Sequence, residues 1–173
     1  MSDSITAAAQ REGGCTLGVG DRLPPLSLPD AESGRPSELI QGRGPLVLLL
    51  DPEGCADCIA LLRQIAERPA VVTDWGGRVV AVVPGSDGGP SLPAAGESFP
   101  LQVLRDPEGR LGERCGVGGS ALLISDEWGE IYFAQTPDAE HPLPTAEEVG
   151  EWLRFVAIQC PECEAPEGEW RTL

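Results

Sequence analysis

Residues 45–58 read PLVLLLDPEGCADC, and this stretch holds the pattern that decides the fold. The continuous apolar run 46–50 is typical of a strand that is buried on both faces of a sheet. Beyond it, apolar residues recur at helical spacing until Pro69, which cannot continue a helix. The sequence therefore places Cys55 and Cys58 between a buried strand and the first turn of a helix.

Strand and helix patterns alternate along the rest of the chain. Upstream, prolines interrupt short apolar alternations in residues 21–42, which is typical of an irregular edge hairpin. Downstream, a short helix is predicted over 109–117, and the capping box Thr145-x-x-Glu148 predicts a final helix that reaches Cys160. The strands predicted after the cysteines are 78–83, 101–106, 121–125 and 130–136, and the last two form a hairpin around the turn DEWG.

This order of elements is that of an α/β protein with a mixed central sheet flanked by helices. A strand–helix–strand crossover gives a parallel pair of strands, and ligands bind such sheets at the carboxyl ends of the strands. We expect a flexible tail over residues 1–18, one domain over 19–160 and a C-terminal tail over 161–173. The last of these carries half of a second Cys-x-x-Cys motif, formed by Cys160 and Cys163.

Composition and charge narrow the possible partners and the compartment. The chain has 173 residues, 41% of them hydrophobic, and a formal net charge of −16. Such a surface repels phosphate backbones and anionic lipids, so we expect neither a nucleic-acid nor a membrane partner. The N-terminus has no basic and apolar segments of the kind that form a signal peptide, and no stretch approaches the roughly 20 apolar residues that span a bilayer. We therefore expect a cytoplasmic protein, in which cysteines point to redox or metal chemistry.

The position of the Cys-x-x-Cys motif favours redox chemistry. Free N–H groups and the dipole at a helix N-terminus favour a thiolate, and one helical turn brings residues i and i+3 close together. Cys55 can then attack a disulfide, and Cys58 can resolve the mixed disulfide. The neighbouring carboxylates of Asp51, Glu53 and Asp57 act in the opposite sense, because they disfavour a thiolate.

Two alternatives to a redox dithiol remain open from the residues alone. The pair could simply pack under a turn as small apolar side chains. A zinc site could also join it to Cys160 and Cys163, although compact zinc ribbons separate their pairs by only roughly 15–20 residues. We expect no metal and no cofactor.

The remaining cysteines and the histidine give weaker signals. Cys115 lies in a short apolar segment, where core packing is the better interpretation. Cys15 falls in the predicted N-terminal tail and has no assigned role. His141, the only histidine, is predicted to lie in a loop far from the dithiol in sequence, so a Cys–His nucleophile pair is disfavoured.

Residues from about 20 to 158 resemble the thioredoxin-like superfamily. The resemblance is to its redoxin branch, which includes peroxiredoxins of the alkyl hydroperoxide reductase and thiol-specific antioxidant type as well as thiol-disulfide reductases. It rests on GDRLPPLSLPDAESGRPSEL (20–39), DPEGCADC (51–58) and GVGGSALLISDEWGEIYF (116–133). It implies a thioredoxin-like fold with an N-terminal irregular hairpin and with Cys55 and Cys58 as catalytic residues. It also implies four substrate-facing residues, which are Pro52, Gly54, Ser120 and Ala121.

Several positions depart from the patterns of that superfamily. Gly54 stands where thioredoxins have tryptophan, Leu49 where they have a buried acid, and Ala121 where the family has a cis-proline. In the peroxiredoxin motif P-x-x-x-[T/S]-x-x-C, a matching proline would lie seven residues before Cys58, whereas Pro52 lies six before it. A Gly- and Pro-rich loop over 84–98 replaces a helix expected in the family.

Three functions follow as hypotheses. The first is a thiol-disulfide oxidoreductase that acts on a protein or small-molecule disulfide. The second is a thiol peroxidase of the peroxiredoxin type, whose substrate would be a peroxide. The third is a redox-sensing or partner-binding module without catalysis, because a fold does not fix a function. A homodimer is left open under all three.

Overall fold

The computed structural model describes residues 17–40, 44–85, 92–93, 99–137 and 142–159. Four of the side chains discussed above lie outside these ranges, as do most of loop 84–98 and the predicted tail 161–173. They are Cys15, His141, Cys160 and Cys163.

An antiparallel hairpin opens the fold, as the prolines predicted. Its strands β1 (Ser27–Pro29) and β2 (Pro36–Glu38) form a two-stranded sheet of their own. An isolated bridge between Asp30 and Leu104 joins this hairpin to the edge of the central sheet. Leu28 is fully buried, so the hairpin is part of the core as well as an edge.

The central sheet contains five strands and is mixed, as expected. The strands are β3 (Leu46–Leu50), β4 (Arg78–Val83), β5 (Leu101–Arg105), β6 (Ala121–Ser125) and β7 (Ile131–Gln135). Their spatial order is β5-β4-β3-β6-β7. β3, β4 and β5 are parallel, whereas β6 runs antiparallel to both β3 and β7. The carboxyl ends of the three parallel strands thus share one edge, and β6 begins there.

Among the residues that the structure describes, four helices complete the domain, and three of them were predicted. They are α1 (Ala56–Glu67), α2 (Ala70–Thr73), α3 (Arg110–Cys115) and α4 (Ala146–Ala157). The capping box that predicted α4 is present with both of its hydrogen bonds. The prediction that this helix reaches Cys160 is wrong, because it ends at Ala157 and the next two residues are exposed. Within the described ranges, no helix has the length and apolar character that crossing a membrane requires.

The strand β3 is the centre of the core, which explains its continuous apolar run. All five of its residues are buried. Val47 and Leu49 pack under α1, α2 and α4, while Leu46, Leu48 and Leu50 pack against the hairpin and α3. Each fully buried leucine contributes about 2 kcal/mol to stability, so this strand is well anchored on both faces.

Candidate active site

The dithiol lies at the sheet edge where the sequence placed it. Cys55 is the N-cap of α1, with extended backbone angles of φ −137° and ψ 112°. Its Sγ accepts a hydrogen bond of 3.2 Å from the backbone N–H of Cys58. One of the free donors of the helix N-terminus is therefore satisfied by sulfur, an arrangement that favours negative charge on that atom.

The two thiols differ in exposure as predicted. Cys58 is fully buried (0% exposed), whereas Cys55 is partly exposed. Burial raises the pKa of Cys58 far above its ordinary value; the adjacent Cys55 sulfur and the carboxylates of Asp57 and Asp51 raise it further. Cys58 is thus a protonated thiol in the resting dithiol, and Cys55 is the sulfur that a substrate can reach.

The turn before Cys55 has an unusual backbone conformation. Asp51 has φ 40° and ψ 54°, the left-handed region that few residues other than glycine adopt. Its N–H donates to the Val82 carbonyl of the next strand at 2.8 Å. A single 3₁₀ turn, Pro52–Gly54, follows and delivers the chain to Cys55. Such conformations persist where surrounding contacts hold them, and they are frequent at functional sites.

A second segment, distant in sequence, fastens this turn. The hydroxyl of Ser120 donates to the Asp51 carbonyl at 2.8 Å. A Cβ added to Gly54 would lie 3.2 Å from Asp51 Oδ2 and 3.6 Å from Ser120 Oγ. The predicted site residues Gly54 and Ser120 therefore lie side by side. The role of Asp51 in this contact could not be found from sequence, although the Asp-Pro pair does indicate a turn.

The other two residues predicted to face a substrate are in different surroundings. Pro52 is buried in the 3₁₀ turn. Ala121 is 2% exposed and pairs with Leu50 across the sheet. Neither side chain reaches the surface, so the structure gives no support for substrate contact by these two side chains. Among the described residues no peptide bond is cis, so the bond before Ala121 is trans.

The surroundings of the buried sulfur are apolar. Leu49, which occupies the position of the buried acid of thioredoxins, is 0% exposed and belongs to the same apolar cluster as Cys58. A leucine cannot take a proton from the thiol.

A cleft of about 200 Å³ lies next to the Asp51 turn. It is lined by Leu50, Val82, Pro84 and the glycines 118 and 119, among others. Asp106 also lines it, but both of its carboxylate oxygens accept backbone N–H groups of α3, at 2.9 and 2.7 Å. That carboxylate therefore anchors a helix and is not a candidate acid or base.

Larger grooves lie elsewhere, and no cysteine of the described ranges lines them or the smaller cleft. One of about 660 Å³ runs between β7 and α4 and is lined by Phe133, Trp152 and Phe155. Its size alone does not make it the reactive site, because the described cysteines lie at other places in the fold. We therefore take the turn 51–58, with its hydrogen bond from Ser120, as the candidate active site; the smaller cleft borders this turn at Asp51.

The other thiol within the described ranges belongs to the core. Cys115 is 0% exposed and packs among the leucines under the hairpin, and burial raises its pKa to about 11. Core packing was the preferred interpretation and is confirmed. In the described part of the chain, no group of three or more His, Cys, Asp or Glu side chains could hold a metal ion. The four-cysteine zinc alternative depends on Cys160 and Cys163, which lie outside that part.

Comparisons by sequence give no match. No family model matches the chain. No curated protein matches it.

Solved structures, in contrast, resemble the fold over four-fifths of the chain. A protein proposed to be the thiol:disulfide interchange protein DsbE of Chlorobium tepidum is 22% identical with a TM-score of 0.61, over 82% of this chain and 99% of that one. The thioredoxin domain of a thiol-disulfide oxidoreductase from Bacteroides vulgatus is 15% identical with a TM-score of 0.54, over 82% and 99%. AhpC from Mycobacterium bovis is 16% identical with a TM-score of 0.60, over 81% and 97%. The chain therefore has the thioredoxin-like fold of the redoxins, as its motifs implied.

Proposed function

We propose that this protein is a thiol-disulfide oxidoreductase in which Cys55 is the nucleophile and Cys58 the resolving thiol. One observation carries the proposal: Cys55 caps a helix with its sulfur on the backbone N–H of Cys58, and only Cys55 is exposed. The two sulfurs belong to one helical turn at the carboxyl edge of the parallel strands. This is the position where open α/β sheets bind their ligands.

The reaction needs two exchange steps. The Cys55 thiolate attacks one sulfur of the substrate disulfide, forms a mixed disulfide and releases the other substrate sulfur as a thiol after it takes up a proton. Cys58 then loses its proton and attacks the Cys55 sulfur, which releases the second substrate thiol. The protein is left with a Cys55–Cys58 disulfide and has passed two electrons to the substrate. A dithiol reductant must return them.

The raised pKa of Cys58 sets the order of these steps. The Cys55 sulfur is among the causes that hold the proton on Cys58. Once Cys55 is in a mixed disulfide its sulfur carries no charge, and its contribution to the raised pKa of Cys58 disappears. Cys58 therefore becomes a better nucleophile only after the first step, and we expect resolution to limit the rate.

A thiol peroxidase is the second candidate, and the AhpC-like fold is compatible with it. In the peroxiredoxin motif the peroxide-reactive cysteine would align with Cys58. That thiol is fully buried, and its raised pKa disfavours the thiolate that attacks a peroxide. The observed geometry therefore favours disulfide exchange.

Two assays on one preparation test the proposal. Reduction of insulin disulfides with dithiothreitol as electron donor should be accelerated by the wild type and abolished in Cys55→Ser. The matched control is Cys115→Ala, which removes a thiol that belongs to the core and should retain the activity. Hydrogen peroxide consumption without disulfide reduction would instead show a peroxidase. Activity in neither assay would favour a binding module.

A further inference from the structure

The charged side chains in the segment that carries the nucleophile are all acidic. Residues 51–58 contain three carboxylates and no basic side chain. Asp57 is exposed in the first turn of α1, and Asp51 is partly exposed just before the 3₁₀ turn. Glu53 lies between them within that turn. An approaching substrate therefore meets negative charge on both sides of Cys55 in the sequence.

The fold holds the Asp51 carboxylate at this place. Its backbone is fixed on one side by the N–H bond to Val82 and on the other by the hydroxyl of Ser120. The Gly54 contact puts Asp51 Oδ2 beside the residue that directly precedes Cys55. Asp51 and Asp57 both act electrostatically on the dithiol, since both disfavour negative charge on Cys58.

We propose that Asp51 and Asp57 make the dithiol selective for disulfides with positively charged groups beside their sulfur atoms, and slow with anionic disulfides. The inference rests on the proposed function and adds a substrate class to it. A unit charge about 8 Å from a carboxylate near the surface changes an encounter rate by about threefold, upward for a cation and downward for an anion. Two carboxylates on a protein with a net charge of −16 reinforce each other.

Three small disulfides with the same reactive bond test this selectivity. Cystamine is a dication, bis(2-hydroxyethyl) disulfide is neutral and 3,3′-dithiodipropionate is a dianion at pH 7. In each case Cys55 forms a mixed disulfide with one half and releases the other half as a thiol. The rate constant of this first step is measured, not that of the slower resolution. Because the released thiols differ in pKa, it is divided by the rate constant of the same disulfide with dithiothreitol. We expect the order dication, neutral, dianion, and a smaller spread in 0.5 M NaCl.

A matched pair of variants separates the local carboxylates from the overall charge. Asp57→Asn and Glu67→Gln each remove one negative charge from an exposed position on α1. The two positions lie about 15 Å apart along the helix, which exceeds the Debye length of about 10 Å at 0.1 M salt. We expect Asp57→Asn to lower the dication-to-dianion ratio by up to about ninefold, and Glu67→Gln to leave it unchanged. Because it is a ratio, a change in the nucleophilicity of Cys55 cancels.

The outcomes distinguish the two proposals. Equal normalised rates for the three disulfides, or an equal ratio in the two variants, would overturn the charge selectivity and leave the disulfide reductase intact. If none of the three disulfides reacts with the reduced protein, the proposed function itself is overturned, and the selectivity with it.

Discussion

At the scale of single residues, Cys58 and Cys115 make the stability of the reduced protein depend on alkaline pH. Burial raises the pKa of Cys115 from 9.0 to about 11, and it is also the first cause of the raised pKa of Cys58. A raised pKa in the folded state contributes stability that is present below pH 9 and is lost as the pH rises toward 11. The chain has no lysine and one tyrosine, so apart from its six cysteines few groups titrate in this window.

Replacing Cys115 by valine should therefore make the unfolding free energy fall less steeply as the pH rises. We expect the fall in unfolding free energy between pH 9 and 10.5 to become shallower by about 1 kcal/mol per pH unit. The measurement is urea unfolding at several pH values with all thiols kept reduced. The control is Leu111→Val, at another buried position of α3. Neither leucine nor valine titrates, so this variant should lower the unfolding free energy equally at every pH. If the unfolding free energies of wild type and Cys115→Val fell in parallel with pH, the Cys115 thiol would have the same pKa in the folded and unfolded states.

The sequence predicted the different exposures of the two reactive thiols, but not the contacts that hold them. Position at a helix start is enough to expose Cys55 and to place Cys58 on the buried stripe with Leu62 and Ile65. The bond from Ser120 to Asp51, in contrast, joins residues that are 69 positions apart. It exists because Leu50 pairs with Ala121 across the sheet. Strand register of that kind cannot be derived from local patterns.

At the scale of elements, α4 depends on its N-terminal capping box. Thr145 Oγ1 accepts the N–H of Glu148 at 3.3 Å, and Glu148 Oε2 accepts the N–H of Thr145 at 2.7 Å. Thr145→Ala should lower the unfolding free energy by about 1 kcal/mol at pH 7. Urea unfolding measures this loss, and Thr136→Ala, at an exposed threonine after β7, is the matched control. An equal loss in both variants would contradict the role of the cap.

The same cap gives an acid dependence whose sign follows from Glu148. Its hydrogen bonds with Thr145 lower the pKa of this carboxyl below the ordinary 4.5. A carboxyl with a lowered pKa in the folded protein stabilises the fold at pH values above its ordinary pKa. This stabilisation is lost as the pH falls through the lowered pKa. Glu148→Gln, whose amide does not titrate, should therefore lower the unfolding free energy more at pH 7 than near pH 3, and urea unfolding at the two pH values measures the difference.

Helices and strands with long regular patterns were predictable, whereas short elements and helix ends were not. The start of α4 was predicted from its capping box, and the start of α1 from its helical spacing after the Cys-x-x-Cys motif. The four residues of α2 are too few to show a period, so this helix was missed. The apolar stripe of α4 predicts a helix that continues to Cys160, but Ile158 is 65% exposed and lies beyond the end of the helix at Ala157. Packing, not local pattern, determines where a helix stops.

At the scale of the whole molecule, α4 runs away from the dithiol. Its last residues and Gln159 lie beside Gly44 and Pro45, at the end of β3 opposite to Cys55. Five strand residues at about 3.3 Å each separate the two ends by roughly 17 Å. Because a disulfide needs Cα atoms within roughly 7 Å, we expect Cys160 and Cys163 to form a separate disulfide or an intermolecular contact, not a relay to Cys55.

Trypsin divides the cysteines in a way that makes this prediction testable. Cleavage after arginine puts Cys55 and Cys58 in peptide 44–63 and Cys160 and Cys163 in peptide 155–171. In mass spectra of the oxidised monomer, each peptide should lose its own two hydrogens or remain reduced. Abundant linkage between the two peptides within one monomer would contradict the placement of the last helix.

The cytoplasmic location and a homodimer also remain predictions.

Capture of the mixed disulfide shows which of the two cysteines is the nucleophile. Reduced Cys58→Ser protein, mixed with bis(2-hydroxyethyl) disulfide, should keep a mercaptoethanol adduct on Cys55 within peptide 44–63. Wild-type protein should release that group and form the Cys55–Cys58 disulfide, and Cys55→Ser should acquire no adduct within peptide 44–63 in the same time. A stable adduct on Cys58 in Cys55→Ser, with none on Cys55 in Cys58→Ser, would contradict the assignment of Cys55 as the nucleophile.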